Sequence, residues 1–379
     1  MTTCSGIDAS TGASIDLACE ETIQSVRPAV ARPSTWIAPG WVDIQVNGFA
    51  GIDYNSPATP HEEIARSVHV LYSSGVTRFY PTVITGAPED MVAALKNLAR
   101  AKDTLPEGAA MDGFHVEGPH ISPDDGPRGA HPRRWVRKPD IDEFYRWQEA
   151  TGGRIRLVTL APEWPEALRY IEAVVAQNVV VSIGHTNAEA RNIADAVSAG
   201  ASMSTHLGNG AHSVLRRHPN YIWEQLAEDR LRASFIADGI HLPQSFLKVA
   251  LRSKGVERAV LVTDASSPAG CAPGRYRLGE QEVDLTADNR VVLAGQDRLA
   301  GSALRMDHGV ENLMRLGGLS LADAVRLATV NAAQAGRVPG REKGLAAVER
   351  ADFVLFDFDA AQKAIQIRAT YVGGRRVWG

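Results

Sequence analysis

The sequence predicts an α/β chain: a (β/α)8 TIM-like barrel with a small β-sandwich domain formed from both chain termini. Three observations carry that prediction. Strand-like apolar runs alternate with segments of helical periodicity, eight such runs can be counted, and both ends of the chain read as β structure without helices between. With 379 residues, 44% of them hydrophobic, the chain accommodates one barrel of about 250 residues and a smaller appendage.

The eight runs are 41–46, 77–83, 111–116, 155–160, 179–183, 201–205, 231–237 and 259–263, and helical stretches at 62–73, 89–101, 165–177, 188–198 and 243–253 separate several of them. β-then-α units in this number close into a barrel. Residues 274–299 carry short alternating runs punctuated by Pro273-Gly274 and Asp288-Asn289, the pattern of an antiparallel β insertion. Residues 1–38 and 344–379 are assigned to the small β domain and 39–343 to the barrel, with 353–358 and 371–378 the clearest terminal strands. The early stretch 2–12 reads as mobile, and the N-terminal β portion as short and Ser/Thr-rich, trimmed or partly disordered.

Composition narrows the partners. Forty Lys and Arg against 44 Asp and Glu give a net charge of -4, and the absence of a basic run argues against nucleic acid. Cys4, Cys19 and Cys271 are an odd, widely spaced set that indicates neither a disulfide framework nor a thiolate metal site. The first 20 residues lack a basic start and an apolar run, and no stretch approaches the roughly 18 apolar residues of a membrane span. The expectation is a cytoplasmic protein with no membrane partner.

In such a barrel the C-terminal ends of the strands converge on one face and carry the chemistry. Glu117 follows the third strand in Phe114-His115-Val116-Glu117-Gly118-Pro119, His185 the fifth in Ser182-Ile183-Gly184-His185-Thr186, His206 the sixth in Ser204-Thr205-His206-Leu207, and Asp264 the eighth in Leu261-Val262-Thr263-Asp264-Ala265. A polar residue at the end of an apolar strand is either exposed at the barrel mouth or buried with a partner. Two imidazoles and a carboxylate make a three-ligand catalytic metal set with a position open for water, which leaves Asp264 to move protons.

Absences sharpen this. The first strand reads Asp43-Ile44-Gln45-Val46-Asn47, with amides at 45 and 47 where many metal-dependent barrel hydrolases place two histidines, and the fourth strand has no lysine to bridge two ions. One divalent ion is expected, zinc first, with iron(II) or another divalent ion also compatible with the ligands. His61 and His69 are assigned to a solvated helix face, since His61-Glu62-Glu63-Ile64 lacks the second histidine of a helical zinc motif. No phosphate loop or dinucleotide fingerprint occurs, so nucleotide-driven chemistry has no support.

Over nearly its whole length the chain resembles the N-acetylglucosamine-6-phosphate deacetylases of the amidohydrolase superfamily. The resemblance is carried by Ala38-Pro39-Gly40-Trp41-Val42-Asp43, Val116-Glu117-Gly118-Pro119, Gly184-His185-Thr186, Thr205-His206-Leu207, Asp238-Gly239-Ile240-His241, Val262-Thr263-Asp264-Ala265, Ala300-Gly301-Ser302, and the closing Gly344-Leu345 through Ala351-Asp352-Phe353-Val354. It implies hydrolysis of the acetamide of an N-acetylated amino sugar 6-phosphate. It also implies metal binding by Glu117, His185 and His206, and proton transfer by Asp264. His131, within Gly129-Ala130-His131-Pro132, and His241 are implied to contact substrate, as are Asn209 and the backbone at Gly210. Arg217 matches a phosphate-binding arginine that family homodimers donate across the subunit interface.

The chain departs from the family pattern after His206, reading Leu207-Gly208-Asn209-Gly210-Ala211-His212 where relatives have an aromatic, then Asn, Ala and Met. Loss of the aromatic wall and gain of His212 would suit a different sugar epimer or acyl group. Two alternatives therefore stay open: hydrolysis of a different N-acyl or cyclic amide, and a catalytically silent sugar-phosphate binding protein on the same barrel.

Overall fold

The computed structural model describes residues 1–379. Eight parallel strands run in order around a barrel: Trp41–Val46, Val76–Ile84, Phe114–Glu117, Ile155–Leu160, Val180–Ile183, Met203–Ser204, Arg232–Ile236 and Ala259–Val262. Each pairs with its neighbours in sequence, so that Glu117 lies level with Ile84 on one side and Thr159 on the other. A parallel bridge joins Val46 to Ala265, and the Asn47 N–H donates to the Ala265 carbonyl at 2.7 Å, closing the ring between its first and last strands. Helices cover the outside while side chains fill the inside, so these strands are buried on both faces and their apolar runs are nearly unbroken.

The interior is layered. Leu157, Val180, Met203 and Val260 form an apolar floor with Tyr80, whose hydroxyl donates to the Gly336 carbonyl at 2.6 Å in the helix Val330–Gly336. Two residues further along the strands the layer is polar: His115 Nε2 lies 2.8 Å from Thr159 Oγ1, which lies 2.7 Å from Thr205 Oγ1, itself 2.6 Å from Ser182 Oγ. Glu117 stands one strand repeat above His115, at the mouth.

The five predicted helices are present, as His61–Ser73, Pro88–Thr104, Ala167–Ala176, Ala190–Ser198 and Gln244–Lys254. Five more appear that periodicity did not reveal: Ile141–Thr151, Tyr221–Ala227, Met306–Asn312, Leu321–Leu327 and Val330–Gly336. Most are only two turns long. Ile141–Thr151 is signalled by its ends instead, because Asp140 caps it by accepting the Asp142 N–H at 2.9 Å and Gly152 terminates it at φ 60°. Pairing of the third barrel strand begins at Met111, which makes a parallel bridge with Phe79, and the continuous strand runs from Phe114.

A seven-stranded sheet draws on both termini, in the order Arg375–Trp378, Ala364–Val372, Phe353–Asp359, Trp36–Pro39, Thr2–Asp8, Ser14–Cys19 and Ile23–Pro28. The stretch expected to be mobile is thus largely a strand, paired from Thr2 with Cys19 to Ile7 with Ser14. The reason is a period-two pattern that its Ser/Thr content conceals: Cys4 and Gly6 face inward, and a Cβ on Gly6 would come within 2.7 Å of Ile37. The insertion forms a three-stranded antiparallel sheet, Gly274–Leu278, Gln281–Leu285 and Val291–Leu293, standing over the barrel mouth.

Asp352 joins the terminal sheet to the barrel. Its Oδ2 lies 3.0 Å from Arg78 Nη1 and 3.1 Å from Arg341 Nη2, while Oδ1 lies 3.3 Å from Arg350 Nε and accepts the Gly373 N–H at 2.6 Å. Burial opposes ionisation of this carboxyl, but the charges of Arg341, Arg350 and Arg78 overcome that and hold it below the usual carboxylate range. Arg341 is fully buried. Removing the carboxylate strands its guanidinium, so Asp352→Ala is expected to cost about 3–5 kcal/mol of stability in urea denaturation; a loss below about 1 kcal/mol would show that the junction does not depend on this ion cluster.

Candidate active site

Four side chains at strand ends meet at the mouth. Glu117 Oε1 lies 2.8 Å from His206 Nε2 and 3.2 Å from His185 Nε2, and the two Nε2 atoms are 3.2 Å apart. All three residues are buried. The backbone leaves its usual range to bring them there: His185, His206 and Asp264 sit at φ 51°, 29° and 50°, a left-handed conformation that non-glycine residues adopt at a cost and that concentrates at functional sites. Surrounding bonds hold the turns. The His206 N–H donates to Ser234 Oγ at 2.8 Å, and the Ser302 N–H donates to the Asp264 carbonyl at 3.0 Å. Gly210 is required as well, since a Cβ there would fall 2.6 Å from His185 Nδ1.

The donor set fits a divalent metal. His185 Nδ1 donates to the Pro127 carbonyl at 2.8 Å, which fixes the ring and directs its other nitrogen, Nε2, towards Glu117 and His206. Burial opposes ionisation of Glu117, yet hydrogen bonds and charge from His185 and His206 hold its carboxyl well below the usual range. For His206, burial pushes the imidazole down, but Glu117 outweighs it and raises the group overall. The attraction that draws a proton onto these atoms would draw a cation. Glu117, His185 and His206 are grouped closely enough to hold one.

Asp264 stands beside this set. Its Oδ1 accepts from Asn47 Nδ2 at 2.7 Å and Gln45 Nε2 at 3.1 Å, and Gln45 Nε2 also reaches Glu117 Oε1 at 2.9 Å. Burial, and then the charge of Glu117, push the Asp264 carboxyl up to about 6. His131 packs edge-on against His185 with ring centroids 4.4 Å apart, and Thr85 Oγ1 lies 2.8 Å from its Nδ1. Burial first, and His185 second, push His131 down to about 3, so it stays neutral across the physiological range. His241 Nδ1 lies 2.6 Å from Asp238 Oδ2.

Of the residues expected from sequence, Glu117, His185, His206, Asp264, His131, His241, Asn209 and Gly210 line one cavity of about 390 Å³. Arg217 does not; it lies exposed on the loop beyond it. His212, expected to shape the sugar site, is also outside, its Nδ1 3.0 Å from the Tyr221 hydroxyl. His69 is exposed, as expected, with its Nε2 2.9 Å from Glu107, whereas His61 is half-buried, its Nε2 3.2 Å from Asn97 Oδ1. The sequence reading missed what the amides do: Gln45 and Asn47 are donors to the two carboxylates. It also missed Thr85, and the cavity wall that Gln281, Arg290 and Arg298 bring from the insertion. Only the Asp238-x-x-His241 spacing carried a readable signal, because a carboxylate at that distance orients an imidazole.

The chain matches the model of the amidohydrolase family over residues 36–377. It is 33% identical over 326 residues to the N-acetylglucosamine-6-phosphate deacetylase of Bacillus subtilis, covering 85% of this chain and 81% of that one. The Homo sapiens protein of the same name is 36% identical over 357 residues, covering 90% and 83%. Among solved structures, a mutant of the Mycobacterium smegmatis N-acetyl-D-glucosamine-6-phosphate deacetylase in complex with N-acetyl-D-glucosamine-6-phosphate superposes with a TM-score of 0.87 at 31% identity, over 96% of this chain and 94% of that chain. The Thermotoga maritima enzyme gives 0.86 at 27% identity, over 98% and 97%.

Calorimetric titration of metal-free protein with zinc is expected to show one tight site per chain. Glu117→Gln should weaken it by more than the roughly 100-fold that loss of an outer partner can cause. Tight binding that survives this substitution would place the metal elsewhere.

Proposed function

Because the chain belongs to the amidohydrolase family and, within it, to the N-acetylglucosamine-6-phosphate deacetylases, we propose that it hydrolyses the acetamide of N-acetylglucosamine 6-phosphate, or of a closely related amino sugar phosphate, to the amino sugar phosphate and acetate. The observation that carries this reading is the meeting of Glu117, His185 and His206 with Asp264 and His131 in a single cavity.

Glu117, His185 and His206 hold one divalent ion; two imidazoles and a carboxylate favour zinc, and iron(II) or another divalent ion also suits them. When bound, such an ion supplies Lewis acidity towards the amide carbonyl and acidifies a water molecule. Asp264 takes the proton of the attacking water and returns it to the departing nitrogen as the carbon–nitrogen bond breaks. His131, with Nδ1 accepting from Thr85, keeps an Nε2–H to donate to the carbonyl oxygen, where negative charge develops. His241, its Nδ1–H given to Asp238, offers Nε2 as an acceptor for a sugar hydroxyl. Asn209 and the Gly210 backbone flank the sugar phosphate.

Arg217 serves the phosphate of a neighbouring subunit in a homodimer. Its exposure outside its own cavity supports that role. The three free cysteines support a reducing, cytoplasmic setting, and no helix is long and apolar enough to cross a membrane.

Acetate release from N-acetylglucosamine 6-phosphate by metal-loaded protein tests the reading, and turnover only of unphosphorylated amides would overturn it. Asp264→Asn is expected to lower kcat by about 100- to 10,000-fold, and His131→Ala by about 100- to 1,000-fold. Because the Asp264 pKa is raised, its basic form is lost as pH falls; kcat/KM should drop below about pH 6, and lower still where the cation attracts the carboxylate. An acid limb unchanged in the residual activity of Asp264→Asn would assign the base elsewhere. Arg217→Ala should raise KM for the phosphorylated substrate by about 10- to 100-fold, the value of a charged hydrogen bond of roughly 1.5–3 kcal/mol, and leave an unphosphorylated one unaffected.

A further inference from the structure

The inserted sheet contributes nothing to the ligand triad, yet it grips the loop that serves it. Gln281 Nε2 donates to the Ala130 carbonyl at 2.6 Å, and Arg298 Nη1 donates to the Gly129 carbonyl at 3.1 Å while pairing with Asp125 at 3.0 Å. Two successive carbonyls directly before His131 are therefore each held by a side chain more than a hundred residues away. The insertion is itself anchored to the barrel side: Asp53 Oδ2 accepts the Gly279 N–H at 2.6 Å, and Ser267 Oγ donates to the Arg277 carbonyl. On the other flank of the same turn, Glu280 accepts from Trp135 Nε1 at 3.0 Å.

The gripped loop does two things for the site. Its Pro127 carbonyl fixes the tautomer and ring of His185, and its His131 stands against that ring. Within the loop the backbone bonds are local, Arg128 N–H to the Asp124 carbonyl, Gly129 N–H to Gly126 and His131 N–H to Arg128. From the barrel side His185 ties the loop at Pro127, Thr85 at His131 and Asn187 at Asp124, so the Gly129–Ala130 backbone between them is restrained from outside by the insertion. Backbone with only local bonds opens more readily, and a displacement of 1 Å at a reacting group can cost about 100-fold in rate.

We propose that Gln281 and Arg298 are positioning residues: by fixing the Gly129 and Ala130 carbonyls they hold His131 and His185 in their working arrangement, which makes the inserted sheet part of the catalytic apparatus without touching the reacting atoms. The kinetic half of the test rests on the deacetylase reading; the exchange half does not. Gln281→Leu and Arg298→Met, singly and combined, are assayed on N-acetylglucosamine 6-phosphate with metal-loaded protein. Expected are losses in kcat of about 10-fold for each and about 100-fold for the pair, with KM within about threefold, metal content and melting temperature unchanged, and recovery in Arg298→Lys, which keeps a donor. Amide hydrogen exchange across residues 126–131 should quicken by about tenfold in the pair. A double variant with kcat within about twofold of the parent and unaltered exchange overturns the proposal, as does a rise in KM with kcat held, which would make Arg298 a binding residue. Should the double variant fail to fold, Arg298→Met decides alone, because Arg298 is 37% exposed and its loss opens no cavity. A parent without turnover sinks the deacetylase reading and leaves the exchange measurement to judge the positioning role.

Discussion

The site depends on keeping Glu117 ionised inside a barrel. A carboxylate moved out of water loses several kcal/mol of solvation, and here it recovers them from the two imidazoles and the Gln45 amide. Those partners must all face one point, and strands ending on a ring point their last side chains in different directions. Three turns therefore take left-handed backbone at His185, His206 and Asp264, each at a cost of about 1–3 kcal/mol. The rest of the fold supplies the restraint that makes this tolerable, in Ser234, Ser302, the Pro127 carbonyl and the close approach at Gly210.

Layering inside the barrel follows from the same requirement. An apolar floor stabilises the ring through burial, but a charged group placed directly on it would leave lone pairs unmatched. The hydroxyls of Thr159, Ser182 and Thr205, with His115, form an intermediate layer whose members bond to one another across strands, so polarity rises stepwise from the floor to Glu117. The ion cluster at Asp352 solves a parallel problem at the junction with the terminal sheet, where a buried Arg341 has to be matched. Chemistry at the mouth and cohesion at the junction thus rest on separate charged groups.

Much of this was legible in the sequence. Barrel strands buried on both faces write themselves as apolar runs, and the polar residue that ends each run is conspicuous, which is why Glu117, His185, His206 and Asp264 could be named together. Two-turn helices such as Tyr221–Ala227 carry too few apolar positions to show a period, and the first strand hid its alternation behind serine and threonine. What no local pattern can encode is contact at long range. His212 looked like a gain for the sugar site until the fold turned it towards Tyr221, and Gln281 and Arg298 meet the His131 loop only because the insertion folds back over the mouth.

The amides at Gln45 and Asn47 bear on the proposed reaction more than their neutrality suggests. Both donate to Asp264 Oδ1 and so fix its direction, yet neither brings a charge, and the carboxyl stays raised at about 6. A cation ligated at those two positions would stabilise the carboxylate electrostatically and lower its affinity for a proton. General base catalysis is most effective when the base has a pKa near the working pH. In the proposed reaction, neutral donors in the first strand orient Asp264 without adding a second cation's pull against its proton, so the carboxylate keeps more of the basicity a general base needs.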